Sequence, residues 1–119
     1  MAPRKPERME LLQGTLDMLV LRTLIFGPLH GYAIAKAIGR SSDDSFQIEF
    51  GSLYPALRRL ELRGWIASKW EISETNRRAK TYRLTAVGRK QPVQEQSKWA
   101  DFVSVIARVM TSGPDGEER

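Results

Sequence analysis

The segment GSLYPALRRLELRG, residues 51–64, carries a complete set of helix signals. Ser52 suits an N-cap, Pro55 falls in the first turn where a missing N–H costs nothing, and Gly64 stands where a C′ glycine belongs. Leu53, Ala56, Leu57 and Leu60 recur at i, i+3, i+4 and i+7, which predicts a buried stripe. Ser52, Tyr54, Pro55, Arg58, Arg59 and Arg63 are left to the flanks and outer face, a polar, cationic and partly aromatic surface. Such a face suits a DNA major groove, where arginine reaches guanine edges and phosphates while serine and tyrosine hydroxyls contact phosphate or base. Arg63 lies far from the helix N-terminus that meets bases and reads as a solvated or ion-paired residue.

Beyond Gly64 the apolar period changes from helical to two. In WIASKWEIS, Ile66, Trp70 and Ile72 share a face; in KTYRLT, Tyr82 and Leu84 share one. Two strands are predicted, with Trp65 and Trp70 packed into the core of the hairpin. The polar link ETNRRA places Asn76 at a turn, followed by Arg77, Arg78 and Lys80 as a basic tip. Upstream, residues 11–26 predict a helix that is apolar on two sides and stops at Gly27-Pro28. Residues 30–38 predict a short second helix with His30 at its entry and Gly39 as its stop. The following GRSSDDS reads as a loop, with Asp43 and Asp44 as capping or solvated charge. The fold class is mainly α with a small β-hairpin: a winged helix-turn-helix whose helix enters the major groove and whose wing follows the phosphates or enters the minor groove.

Thr85 predicts the cap of a final helix to about Met110, with Trp99, Phe102, Val103, Ile106 and Met110 on one stripe. Pro92 lies inside that span and predicts a kink or a later regular start. A domain of three helices and a hairpin already fills its core, so this stripe and a second side of the first helix (Leu12, Leu16, Leu19) have no partner in the chain. A homodimer follows, with terminal helices of two subunits packed together. The predicted organisation is a flexible arm over 1–8, the winged domain over 9–85, a C-terminal dimerisation helix over 86–111 and a disordered tail over 112–119.

The chain has 119 residues, enough for one core, and its 41% hydrophobic and 28% charged content is that of a folded protein. Its net charge of +5 is unevenly spread: residues 1–57 sum to zero, 58–90 to +7 and 91–119 to −2. The surplus coincides with the predicted helix and wing, which makes nucleic acid the leading partner class. With no cysteine and one histidine, the chain offers no thiolate or clustered metal site, no Cys nucleophile and no Gly-rich phosphate loop, so neither an enzyme, a cofactor nor a metal is expected. The longest apolar run is too short for a membrane span and the N-terminus lacks signal-peptide features, so a cytoplasmic location is expected.

Three stretches in order, LLQGTLDMLVLRTLIFGPLHGYAIAKAI (11–38), GSLYPALRRLELRGWI (51–66) and KTYRLTAVGR (80–89), resemble the PadR family of bacterial transcriptional regulators, in its short branch with one C-terminal dimerisation helix. The resemblance spans roughly residues 9–110. It implies a dimeric repressor on double-stranded DNA carrying a pseudo-palindromic operator, frequently released by a small-molecule effector. Residue by residue, it puts Ser52, Tyr54, Pro55 and Arg58 on the recognition helix, Arg77, Arg78 and Lys80 on the wing, and Tyr32 near a phosphate at the start of the preceding helix. It also places any aromatic effector between the subunits, stacked on Trp99. The alternative is a winged module that binds protein; it predicts an uncharged or acidic outer face on residues 52–63, against which Arg58, Arg59 and Arg63 argue.

Overall fold

The computed structural model describes residues 14–114. The expectations for the 1–8 arm, for Leu12 and for the end of the 112–119 tail lie outside these residues. Four helices and three strands follow in the order α1 (Thr15–Leu24), β1 (Leu29–His30), α2 (Gly31–Ser41), α3 (Phe50–Leu62), β2 (Ile66–Ile72), β3 (Arg78–Leu84) and α4 (Gln91–Thr111), with one 3₁₀ turn (Gly88–Lys90) before α4. The strands form an antiparallel sheet in the order β1-β3-β2, with Leu29 opposite Tyr82 and Ile66 opposite Leu84. This is the winged helix-turn-helix architecture that the change of period predicts. β1 is too short for a two-residue period to show.

The core lies between the inner faces of α1, α2 and α3 and the root of the hairpin. Val20, Leu21, Ile34, Leu53, Leu57 and Leu60 are fully enclosed, and Ile66, Tyr82 and Leu84 close the core from the sheet. The stripe Leu53, Ala56, Leu57, Leu60 is buried as its spacing predicts. Leu16 corrects an expectation: it belongs to this core instead of a free dimer surface, and Leu19 packs half-buried beside it. Trp65 also packs against the core, whereas Trp70 lies exposed on the wing.

The ends of α3 show what sequence signals resolve. At its C-terminus, Gly64 is left-handed (φ 76°), its N–H bonds to the Glu61 carbonyl, and the Trp65 N–H reaches back to Leu60 at 3.0 Å. That is the double bond of a Schellman cap, which glycine permits without strain. At the other end, Ser52 is not the cap. The helix starts at Phe50 with Glu49 at the cap position and no side-chain cap, because the Glu49 carbonyl already accepts the N–H groups of both Ser52 and Leu53. Pro55 therefore lies inside the helix, beyond its first turn. It cannot donate to the carbonyl of Gly51, which lies on the exposed side where water can satisfy it.

Two other helix boundaries differ from expectation. Helix α2 runs through Gly39 to Ser41 and is ended by left-handed Asp43 and Asp44, short polar residues that tolerate positive φ, with the Asp44 N–H bonded to the Gly39 carbonyl at 2.8 Å. Pro92 is the second residue of α4, so it neither kinks nor interrupts it. Thr85 fastens the wing root: its hydroxyl donates to the Gly64 carbonyl at 2.7 Å and accepts the Gly88 N–H at 3.0 Å. Gly88 sits so close to this crossing that a Cβ there would be 1.8 Å from the Trp65 carbonyl oxygen. Gly88→Ala is expected to destabilise the domain by about 3 kcal/mol, because backbone must move to admit the methyl; a thermal melt checks it.

Candidate nucleic-acid interface

The outer side of α3 and the adjoining face of the wing enclose a groove of about 570 Å³, lined by Tyr54, Pro55, Arg58, Glu61, Lys80 and Tyr82. Helix periodicity puts Ser52, Tyr54, Pro55 and Arg58 on the side opposite the buried leucines, and all four are exposed. With no side-chain cap, the first N–H groups of α3 and the positive end of its dipole remain free to meet an anion. A run of aromatic rings leads into this end of the helix. Tyr32 and Phe50 are 6.2 Å apart, Phe50 and Tyr54 5.7 Å, and the Lys36 ammonium stands 4.9 Å from the Tyr32 ring. Tyr54 also rests against α2, where a side chain at Gly31 would come within 3.2 Å of its ring.

Phe50 and Lys36 are not legible as site residues in the sequence. A helix that begins at Ser52 leaves Phe50 outside it and hides its i, i+4 relation to Tyr54.

Arg59 does not belong with Arg58. Its guanidinium donates from Nη2 to Asp17 Oδ1 at 2.7 Å and from Nε to Oδ2 at 3.3 Å, a two-pronged pair that ties α3 to α1. Asp17 is buried, and Arg63 approaches its other oxygen at 3.8 Å while lying over the Trp65 ring. The hydrogen bond to Asp17 pushes the Arg59 pKa further above its ordinary value. Arg59, expected from its position in the sequence to contact DNA, has its guanidinium held against α1 by this pair. Arg59→Ala is expected to cost about 2 kcal/mol of stability, less than a fully buried pair because Arg59 is 43% exposed and Arg63 remains beside the carboxylate. Arg58→Ala should leave the melting temperature within about 2 °C of wild type, as expected for an exposed residue outside any such network.

The wing tip is shaped by Ser73, whose N–H bonds to the Arg77 carbonyl at 2.8 Å and whose hydroxyl accepts the Arg77 N–H at 3.2 Å; Asn76 takes the left-handed turn position (φ 60°). Of the three expected tip cations, Arg77 alone lies in the turn. Arg78 and Lys80 are strand residues of β3 that point to the same face as Trp70. The Arg78 guanidinium lies 4.8 Å from the Trp70 ring and the Lys80 ammonium 3.7 Å from Glu61 of α3, an ion pair that bridges helix and wing. Tyr82 behind them is held neutral: burial, then the Glu61 charge, raises its pKa. On the opposite face Thr81 donates to Glu71 at 2.9 Å and stands 3.1 Å from His30 Nδ1. With the Thr81 proton committed to Glu71, Nδ1 donates, which pins the entry of α2 to the sheet. Hydrogen bonds from Lys69 and then Thr81 hold the Glu71 carboxyl below the usual carboxylate range.

The model of the transcriptional regulator PadR-like family matches residues 20–93, from the middle of α1 to the start of α4. The chain belongs to this family. A transcriptional regulator from Clostridium thermocellum superposes on it with a TM-score of 0.71 at 36% identity, over 80% of this chain and 89% of that one. A PadR family transcriptional regulator from Eggerthella lenta superposes with a TM-score of 0.72 at 33% identity, over 85% and 86%. An uncharacterised protein from Lysinibacillus sphaericus is 30% identical over 83% of this chain and 91% of its own length. PadR-like proteins are transcriptional regulators and not enzymes, in agreement with the reading of the composition.

In this PadR-like chain α4 is the least enclosed element. Pro92 is its one buried residue, and Trp99, Phe102, Val103, Ile106 and Met110 are all exposed, as are Val105 and Val109. At 21 residues it is about 31 Å long. An apolar cavity of about 620 Å³ lies elsewhere, between α1 and α2, lined by Leu19, Arg22, Phe26, Leu29, Ile38 and Phe46. Among the described residues no cluster of three or more His, Asp or Glu could hold a metal, and no helix is long and apolar enough to cross a membrane.

Proposed function

We propose that the protein is a homodimeric, cytoplasmic, sequence-specific repressor that binds a pseudo-palindromic operator in double-stranded DNA. The observation that carries this reading is where four cations of the +7 segment lie: Arg58 on one wall of the groove, Lys80 on the other and Arg77 and Arg78 along the wing that extends it. Tyr54, in the N-terminal half of α3, and Arg58, one turn further along the same exposed side, are suited to read base edges; Ser52 and Tyr32 are suited to meet phosphates; Pro55 packs on the backbone. The cationic outer face weighs against a protein-binding winged module, which requires a neutral or acidic one.

Dimerisation rests on α4. Its stripe of Trp99, Phe102, Val103, Ile106 and Met110 forms an apolar surface too long for a stable monomer to leave in water. In this reading residues 9–85 form the DNA-binding unit, 86–111 the dimerisation helix, and 1–8 and 112–119 polar ends. Trp99, the first residue of the stripe, is the position at which a planar aromatic effector would stack between subunits and change the angle between recognition helices. Binding to a duplex enriched from a random pool, compared with a scrambled duplex of equal composition, tests the function directly.

A further inference from the structure

Along β2 one face begins in the core and ends in solvent. Ile66 is buried, Ser68 is half-buried, and Trp70 and Ile72 are 59% and 71% exposed. A strand that leaves a core ordinarily turns polar on both faces. The other face does so with Lys69 and Glu71, yet this one becomes more apolar as it moves outward. Across the ladder Trp70 is opposite Lys80 and Ile72 opposite Arg78, with Arg78 4.8 Å and Lys80 6.0 Å from the indole. Two apolar side chains on the edge strand are thus set beside two cations of β3, on the same face as Tyr82 and Lys80, which line the groove against α3. Each further pair on this face lies about 7 Å farther out along the wing.

We propose that Trp70 and Ile72 are DNA-contacting residues, making an apolar contact with the deoxyribose edges of a minor groove while Arg78 and Lys80 hold the flanking phosphates. The occupant follows from the composition of the face. Its cations match a polyanion, and an apolar edge beside them matches the sugar edges that line a minor groove next to a phosphate row. The proposal rests on the DNA-binding reading above and adds to it a contact that no charge count reveals. It differs from a phosphate contact in one measurable respect, since an apolar side chain displaces no counterions.

The test uses the full-length protein with 5-fluorotryptophan at all three tryptophans, its ¹⁹F resonances assigned by Trp70→Phe, and a duplex enriched by the wild-type protein from a random pool. On saturation with duplex the Trp70 resonance should shift and lose at least half of its sensitivity to exchange of H₂O for D₂O, while Trp65, packed on the core, should keep its own. Trp70→Ala should weaken binding about tenfold and Ile72→Ser about threefold, both with the slope of log affinity against log salt unchanged. The labelling arm needs no substitution at position 70 in the measured protein, so a poorly folded Trp70→Ala leaves the proposal exposed to test. A saturated complex in which Trp70 stays as solvent-accessible as in the free protein overturns the proposal while leaving DNA binding intact, and hands the face to a protein partner or to hairpin stability alone. Failure of the wild-type protein to bind any duplex overturns the DNA reading first and this one with it.

Discussion

Phe102→Asp is expected to convert the proposed dimer to monomers at micromolar concentration and to weaken operator binding by at least a hundredfold. Phe102 is exposed in the single chain, at the middle of the α4 stripe, so the substitution leaves the subunit's own core untouched. In the dimer the same carboxylate is buried without a partner, which costs about 3–5 kcal/mol and shifts the association constant by two to four orders of magnitude. Operator affinity follows because each half-site benefits from the other through their linkage, a gain of about 10²–10⁴ that a monomer forfeits. Sedimentation velocity and a binding titration on the same samples check both parts, and an unchanged melt of the winged domain separates impaired association from impaired folding. A wild-type protein that sediments as a monomer at micromolar concentration refutes the dimer.

The second large effect separates the wing from the recognition helix. Arg77→Ala with Arg78→Ala is expected to weaken binding to every duplex alike and to flatten the slope of log affinity against log salt by about two, roughly 0.9 for each phosphate that is no longer neutralised. Arg58→Ala is expected to act differently, reducing discrimination between the selected and scrambled duplexes by about 1–3 kcal/mol with a smaller change in slope. Arg59→Ala provides the contrast within one helix, since its guanidinium is committed to Asp17: stability should fall while specificity persists. If Arg58 and Arg59 exchange these behaviours, the assignment of the two adjacent arginines is wrong.

These contrasts also show where the sequence is readable. The α3 stripe, its Gly64 cap, the change to a two-residue period and the exposed stripe of α4 are legible because each is a local pattern, decided by spacing and backbone preference within one element. What depends on an approach between distant elements is not. Arg59 and Arg58 are neighbours with the same side chain, and only the packing of α1 delivers Asp17 to one of them, 42 positions away in the chain. The start of α3 escapes a reading of side chains because a backbone carbonyl, from Glu49, does what the nearby Ser52 hydroxyl could have done. Trp70 follows the same logic: alternation places it on the inner face of the hairpin, but the hairpin extends beyond the core that would have covered it. Leu16 is the converse, an apolar residue that looks free for an interface because the helix carries more hydrophobic surface than one stripe needs, yet is absorbed by the subunit's own core.

In the proposed mechanism one groove, built by α3 and the wing and presented twice by a dimer, reads a specific duplex. A competition at physiological salt between a duplex enriched by the wild-type protein from a random pool and a scrambled duplex of the same length and composition tests this without any substitution. The enriched duplex should bind at least 10³-fold more tightly, with two protein chains per duplex and a steep inverse dependence on salt. Equal affinity for the two duplexes would contradict specific recognition.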